Sequence, residues 1–158
     1  MIKIGVLSDT HGYLDPKIIP LFQGVMQILH AGDIGSLEVI TQLEKVAPVI
    51  AVHGNGDINS VLKRFPDRQI VTVSSNNILL THIGGPLTRL KNLLPEGMSL
   101  EDIDMVIYGH SHSPEFRQRD GLFFFNPGAA SIKMCYVTPS VGLLTIGEGK
   151  IKGDIVTF

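Results

Sequence analysis

Short, almost wholly apolar runs recur along this chain, and polar phrases punctuated by glycine stand directly after most of them. Ile2-Lys3-Ile4-Gly5-Val6-Leu7 is short and β-branched, as expected of a strand covered on both faces, and Ser8-Asp9-Thr10-His11-Gly12 ends it. Asp15-Pro16 then offers an N-cap and a first-turn proline. Ile18, Ile19, Leu21, Phe22, Val25 and Met26 follow at roughly helical spacing, predicting a crossover helix. The unit repeats. Gln27-Ile28-Leu29 leads into His30-Ala31-Gly32-Asp33, and Ser36 caps a helix carrying Leu37, Val39, Ile40, Leu43 and Val46. A third strand, Val49 to Val52, delivers Gly54-Asn55-Gly56-Asp57 before a short helical signal that ends near Phe65-Pro66.

The pattern then changes. Gln69 to Val73 and Ile78 to Thr81 flank Ser74-Ser75-Asn76-Asn77, which predicts a hairpin. After His82, Gly84-Gly85-Pro86 opens a helix with Leu87, Leu90, Leu93 and Leu94, and Ser99 to Asp102 has capping-box form. Met105 to Tyr108 presents Gly109-His110-Ser111-His112. Beyond Gly121 the chain predicts only strands, at Leu122 to Phe125, Met134 to Val137, Val141 to Ile146 and Ile151 to Phe158. Helical crossovers first and hairpins later predict an α/β protein with a mixed sheet or two stacked sheets. With 158 residues, 44% of them hydrophobic, one domain over 1–158 is expected.

Thirteen basic against fifteen acidic side chains give a net charge of −2, so no basic stripe suits a polyanion and no stable nucleic-acid complex is expected. No apolar stretch approaches the roughly 20 residues that span a bilayer, and no export signal opens the chain. The single cysteine, Cys135, has no internal partner and is expected in the core. A soluble, reducing compartment, the cytoplasm, fits these features.

The polar phrases hold seven side chains suited to metal ligation: Asp9, His11, Asp33, Asn55, His82, His110 and His112. Asp9 and His11 lie two apart beyond a strand, where an extended pair points to one side. Two imidazoles two apart, His110 and His112, make a poor core and a good divalent-ion site. Taken singly, each phrase is an ordinary turn. Taken together, five in order after five strands describe a site at one edge of a sheet. His30 and His53 are expected close to that site without serving as ligands.

In this order, D-x-H, G-D, G-N-x-D, H and G-H-x-H, the phrases resemble the calcineurin-like metallophosphoesterase superfamily over nearly the whole chain. Asn126-Pro127-Gly128 after the last site strand is most similar to its small prokaryotic phosphodiesterase branch, which also includes a eukaryotic retromer subunit. The resemblance implies a four-layer α/β/β/α sandwich of two mixed β-sheets flanked by helices. It implies two divalent ions, manganese first, with nickel, iron, zinc or cobalt as alternatives. Asp9, His11, Asp33 and His112 would hold one, and Asp33, Asn55, His82 and His110 the other, with Asp33 bridging. The implied reaction is hydrolysis of a small or activated phosphodiester by a metal-bridging hydroxide. A retromer-like binding scaffold and a phosphomonoesterase are the alternatives, and homo-oligomerisation is a family-level expectation. Two positions depart from the pattern. Gly56 stands where many members carry a histidine that helps protonate the leaving oxygen, and Ile83-Gly84 replaces a Gly-His.

Overall fold

β1 (Ile2–Leu7) forms because its alternate residues have two different interiors to fill. Ile4 and Val6 point into one apolar layer, while Leu7 points into another. The computed structural model describes residues 1–131 and 136–158. Cys135 and half of the strand expected at 134–137 lie outside the described residues, and the other half, Tyr136 and Val137, is a bend and not a strand.

β1 is parallel to β2 (Gln27–His30), which is parallel to β3 (Val49–Ala51), with Leu7 beside His30 and His30 beside Ala51. The three strands therefore end in one row. β9 (Ser140–Gly147) and β10 (Lys150–Thr157) complete this sheet on the other side of β1 in antiparallel register, in the order β10-β9-β1-β2-β3. The second sheet contains β4 (Arg68–Val73), β5 (Asn76–Thr81), β6 (Met105–Ile107), β7 (Glu115–Arg119) and β8 (Leu122–Asn126), ordered β4-β5-β6-β8-β7. Its central strands are parallel and also end together, Leu80 beside Ile107 and Ile107 beside Phe125.

Three apolar clusters mark three interfaces between four layers. α1 (Ile18–Leu21), α2 (Leu37–Glu44) and α3 (Ser60–Arg64) cover the outer face of the first sheet with Ile18, Val39, Ile40, Leu43 and Val61. Ile4, Val6, Leu29, Ile78, Leu80, Ile107 and Phe125 fill the space between the sheets. α4 (Leu87–Lys91) and a 3-10 turn at Leu100–Asp102 lie over the second sheet, where Leu90 meets Leu79 and Val106. This is the expected four-layer α/β/β/α sandwich, with thin helical layers. Among the described residues no helix is long and apolar enough to cross a membrane.

Several elements differ from the expectation in instructive ways. Helix α1 is one turn, because Gly24 at φ 80° swings the chain toward β2, and the Asp15 carboxylate accepts from Lys17 N–H before the helix begins. The first hairpin turns on two residues instead of four. Ser74 and Ser75 both take positive φ, so Asn76 and Asn77 join the ladder. β7 was not expected from its polar sequence, although the Asp120-Gly121 pair after it, at φ 51° and 83°, is a hairpin signal. Ser36 caps α2 as expected, its hydroxyl accepting from Glu38 N–H.

Gly5 shows how tightly the outer helical layer is set. A Cβ built there would stand 2.9 Å from the Phe22 ring, and Phe22 is fully buried. Gly5→Ala should therefore cost about 1–3 kcal/mol through overpacking. Urea unfolding of the metal-free protein measures it, and an unchanged midpoint would contradict the packing described.

Candidate metal centre

The two rows of strand ends face one another, and the loops leaving them carry the polar phrases. Backbone bonds tie these loops together: Asp9 N–H donates to the Gly32 carbonyl, His11 N–H to Asp33 and Gly12 N–H to Ile34. His82 crosses between the sheets, its Nδ1 2.7 Å from the Ala31 carbonyl. A carbonyl only accepts, so Nδ1 carries the proton and Nε2 of the neutral ring presents a lone pair.

Each central carboxylate has one oxygen held and the other turned inward. Asp9 Oδ2 accepts from Ser8 Oγ (2.6 Å) and His110 N–H (3.2 Å). Its Oδ1 faces three imidazole nitrogens, His112 Nε2 at 3.2 Å, His11 Nε2 at 3.6 Å and His82 Nε2 at 4.0 Å. Asp33 Oδ1 accepts from Gly56 N–H (2.8 Å), leaving Oδ2 3.4 Å from His82 Nε2. Donor atoms of Asp9, His11 and His112 lie within 4.8 Å of one another, as do those of Asp9, Asp33 and His82. Five of the seven expected ligands thus fall into two groups sharing Asp9. His110 stacks edge-on to His82 with ring centroids 5.2 Å apart, and exposed Asn55 lines a cavity beside His82.

The chemistry of these atoms fits divalent cations. His11 Nε2 and His82 Nε2 are buried and have no hydrogen-bond partner, a costly condition for a polar atom unless something else satisfies it. In its neutral form His82 sets a lone pair against a carboxylate oxygen, and only a proton or a metal ion resolves that opposition. Burial acts to depress the His82 pKa, but contact with Asp33 and the charge of Asp9 raise it above its ordinary value. Burial likewise acts to raise Asp33, yet the His82 contact, helped by the Gly56 N–H, brings it down to about 2. Carboxylate and imidazole donors together suit borderline transition metals.

The backbone accommodates this convergence at a cost. Asp9, His11, Asp33, His110 and His112 all have left-handed φ, between 48° and 67°. Such conformations persist where surrounding structure enforces them, and they cluster at functional sites. Two glycines make room directly. A Cβ at Gly109 would stand 1.9 Å from Ser8 Oγ, and one at Gly54 would stand 2.1 Å from Asp33 Oδ1.

Residues without an assigned role in the sequence hold this geometry. The buried Asp57 carboxylate accepts from the N–H groups of Ile34, Gly35 and Gly54, joining the two loops around Asp33. Asn126 Nδ2 donates to the Gly109 carbonyl and to Ser111 Oγ, steadying the loop of His110 and His112. The only signal for either was its place in a glycine phrase. His30, expected nearby, is fully buried. Thr10 Oγ1 gives its one proton to the Ile34 carbonyl, so it accepts from His30 Nε2–H at 3.0 Å, while His30 Nδ1 accepts from Gly32 N–H. The ring is therefore neutral, and burial, with His82 adding to it, pushes its pKa down to about 3.

The chain matches the calcineurin-like phosphoesterase superfamily domain over residues 2–149. It is 33% identical to a phosphodiesterase of Methanocaldococcus jannaschii, the match covering 90% of this chain and 92% of the relative. A solved structure of an archaeal phosphodiesterase superposes with a TM-score of 0.74 at 28% identity, covering 98% of this chain and all of the other. A variant of Vps29 from Entamoeba histolytica shares the fold, with a TM-score of 0.75 at 21% identity over 99% of each chain.

Between pH 6.5 and about 3 the unfolded chain protonates His30 and the folded one does not. Stability of the metal-free protein should therefore fall as pH drops through this window, by up to about 1.4 kcal/mol per unit. His82, raised in the folded state, changes stability only above pH 6.5, and Asp33 only below its ordinary 3.8. Urea unfolding between pH 6.5 and 4.5 should show a shallower slope for His30→Gln than for the parent. Equal slopes would contradict the assignment.

Proposed function

Because this chain belongs to the calcineurin-like phosphoesterase superfamily, we propose that its two-carboxylate pocket is the centre of a divalent-metal-dependent phosphodiesterase acting on small or activated diesters. The observation that carries the proposal is the pairing of an inward oxygen on Asp9 and on Asp33 with the unpartnered Nε2 atoms of His11 and His82. Asp9, His11, Asp33 and His112 would hold one ion and Asp33, Asn55, His82 and His110 the other, with Asp33 between them. When bound, two divalent ions supply an acidified water and neutralise phosphoryl charge during displacement. Manganese is the proposed ion, with nickel, iron, zinc or cobalt as alternatives, since the donor set mixes carboxylate, imidazole and amide oxygen.

The chain's own part is to hold these donors aimed inward. Ser8 Oγ and the N–H groups of His110 and Gly56 bind the outer carboxylate oxygens, so neither acid must reorient to receive a cation. Ala31 fixes the His82 tautomer with the lone pair inward. Gly56 contributes an N–H to Asp33 and no side chain, so no proton donor faces the leaving oxygen from this position. A general acid typically contributes about 10²–10⁴-fold. Esters whose leaving groups depart without protonation, such as aryl diesters, are therefore the favoured substrates.

The relatives described as phosphodiesterases support diesters over monoesters. The likeness to Vps29, at 21% identity, bears on fold alone, and the presence of all seven donor residues in the sequence, five of them brought together in the structure, favours an enzyme over a binding scaffold. The proposed setting is the cytoplasm and the proposed unit one domain over 1–158, able to form homo-oligomers. A net charge of −2 argues against a stable nucleic-acid complex.

Chelated protein should lose hydrolysis of bis-(p-nitrophenyl) phosphate and regain it with manganese. Asp33→Ala and His112→Ala should each lose most of it, and activity that survives chelation and both substitutions would overturn the proposal. Rates across a series of diesters should rise steeply as the leaving group becomes more acidic, and equal rates on alkyl and aryl diesters would contradict the role given to Gly56.

A further inference from the structure

Four of the five arginines sit within ion-pair distance of a carboxylate: Arg64 with Glu44, Arg68 with Asp67, Arg117 with Glu115 and Arg119 with Asp120. Arg89, on α4, has no such partner among the described residues. Its side chain is nevertheless seated. Nε–H donates to the Gly84 carbonyl at 3.0 Å, and among the described residues neither terminal nitrogen of the guanidinium has a hydrogen-bond partner. Gly85, at φ 127°, provides the space, since a Cβ there would stand 3.0 Å from Arg89 Cδ.

The seated arginine lines a cavity of about 200 Å³ whose other walls include His53, Asn55, Thr81 and His82. Two of these, Asn55 and His82, are proposed metal ligands. Asp67 also borders the cavity, but its carboxylate is 2.8 Å from Arg68 Nη1. A held cation beside a centre that collects cations is repelled by it unless an anion stands between them. Guanidinium groups bind phosphate oxygens through paired N–H donors, and a group already oriented loses less freedom on doing so. Arg89 also supplies a donor close to Ile83, which has none.

We infer that Arg89 is a substrate-binding residue, its guanidinium taking an oxygen of the phosphate group held beside Asn55 and His82. The inference rests on the proposed phosphodiesterase reading for the identity of the ester, and on the seat and the shared cavity for the position of the anion. The glycine-rich turn after β5 thereby has a purpose in this chain. Gly84 anchors the guanidinium, and Gly85 clears its path.

The test uses manganese-loaded protein, with bis-(p-nitrophenyl) phosphate as substrate and inorganic phosphate as competing ligand. Arg89→Ala should raise both KM and the phosphate inhibition constant about tenfold, the scale of a charge-assisted hydrogen bond, with kcat and bound metal little changed. Arg89→Lys should recover part of the loss. Gly85→Ala should reproduce it with the arginine still present, and Arg64→Ala should leave both constants unaltered. KM and phosphate inhibition within about twofold of the parent in Arg89→Ala would overturn the inference. If the loaded parent hydrolyses no diester, the phosphodiesterase reading fails, and calorimetric binding of inorganic phosphate to parent and Arg89→Ala still decides the role of Arg89.

Discussion

Everything at this site depends on two carboxylates whose outer oxygens are bound by the surrounding loops, so that their inner oxygens turn toward the histidine rings. Ser8 and His110 N–H hold Asp9, and Gly56 N–H holds Asp33. Without those bonds, two buried acids would turn toward whatever donor lay nearest. With them, Asp9 Oδ1 and Asp33 Oδ2 face imidazole nitrogens across gaps of 3.2 to 4.0 Å. Carboxylate oxygens and ring nitrogens are thus concentrated around two buried acids, a costly arrangement by itself and a good one for cations.

The fold exists to enforce this geometry from far apart in the chain. Asp9 and His112 are separated by 103 residues, yet they meet because two sheets pack face to face with their central parallel strands ending at the same edge. Loops leaving those ends are then bound to one another by backbone hydrogen bonds, by Asp57 and by Asn126. The left-handed backbone at five candidate ligands is the cost of aiming so many side chains inward. Packing of the three apolar layers offsets it. A neutral His30 beneath the centre adds rigidity, its ring joining the loop of Thr10 to that of Gly32.

Much of the fold was legible because its strands are covered on both faces, leaving short β-branched runs that cannot be mistaken for amphipathic surface. The capping Ser36 was equally clear, since the hydroxyl and the apolar spacing that followed agreed. What misled was local turn chemistry. Gly24 shortened α1, and paired left-handed serines moved Asn76 and Asn77 from turn to strand. β7 was hidden because it is an edge strand whose exposed residues, Arg117 to Arg119, are polar and lack an apolar rhythm. The ligand candidates stood out by residue type, whereas Asp57 and Asn126 did not, because a buried acid or amide that binds backbone N–H groups has no spacing of its own.

The sequence by itself determined the class of chemistry: which donors are present, their order behind successive strands, and the absence of a side chain at position 56. Those are properties of residue identity, and no folding could alter them. Only the tertiary structure decided which oxygen of each carboxylate turns inward, which nitrogen of His82 and His30 carries the proton, and that Arg89 is seated on Gly84 with no ion-pair partner among the described residues. Such distinctions depend on hydrogen bonds between loops tens of residues apart. They arise when the two sheets bring their ends together, and no local pattern of residues encodes them.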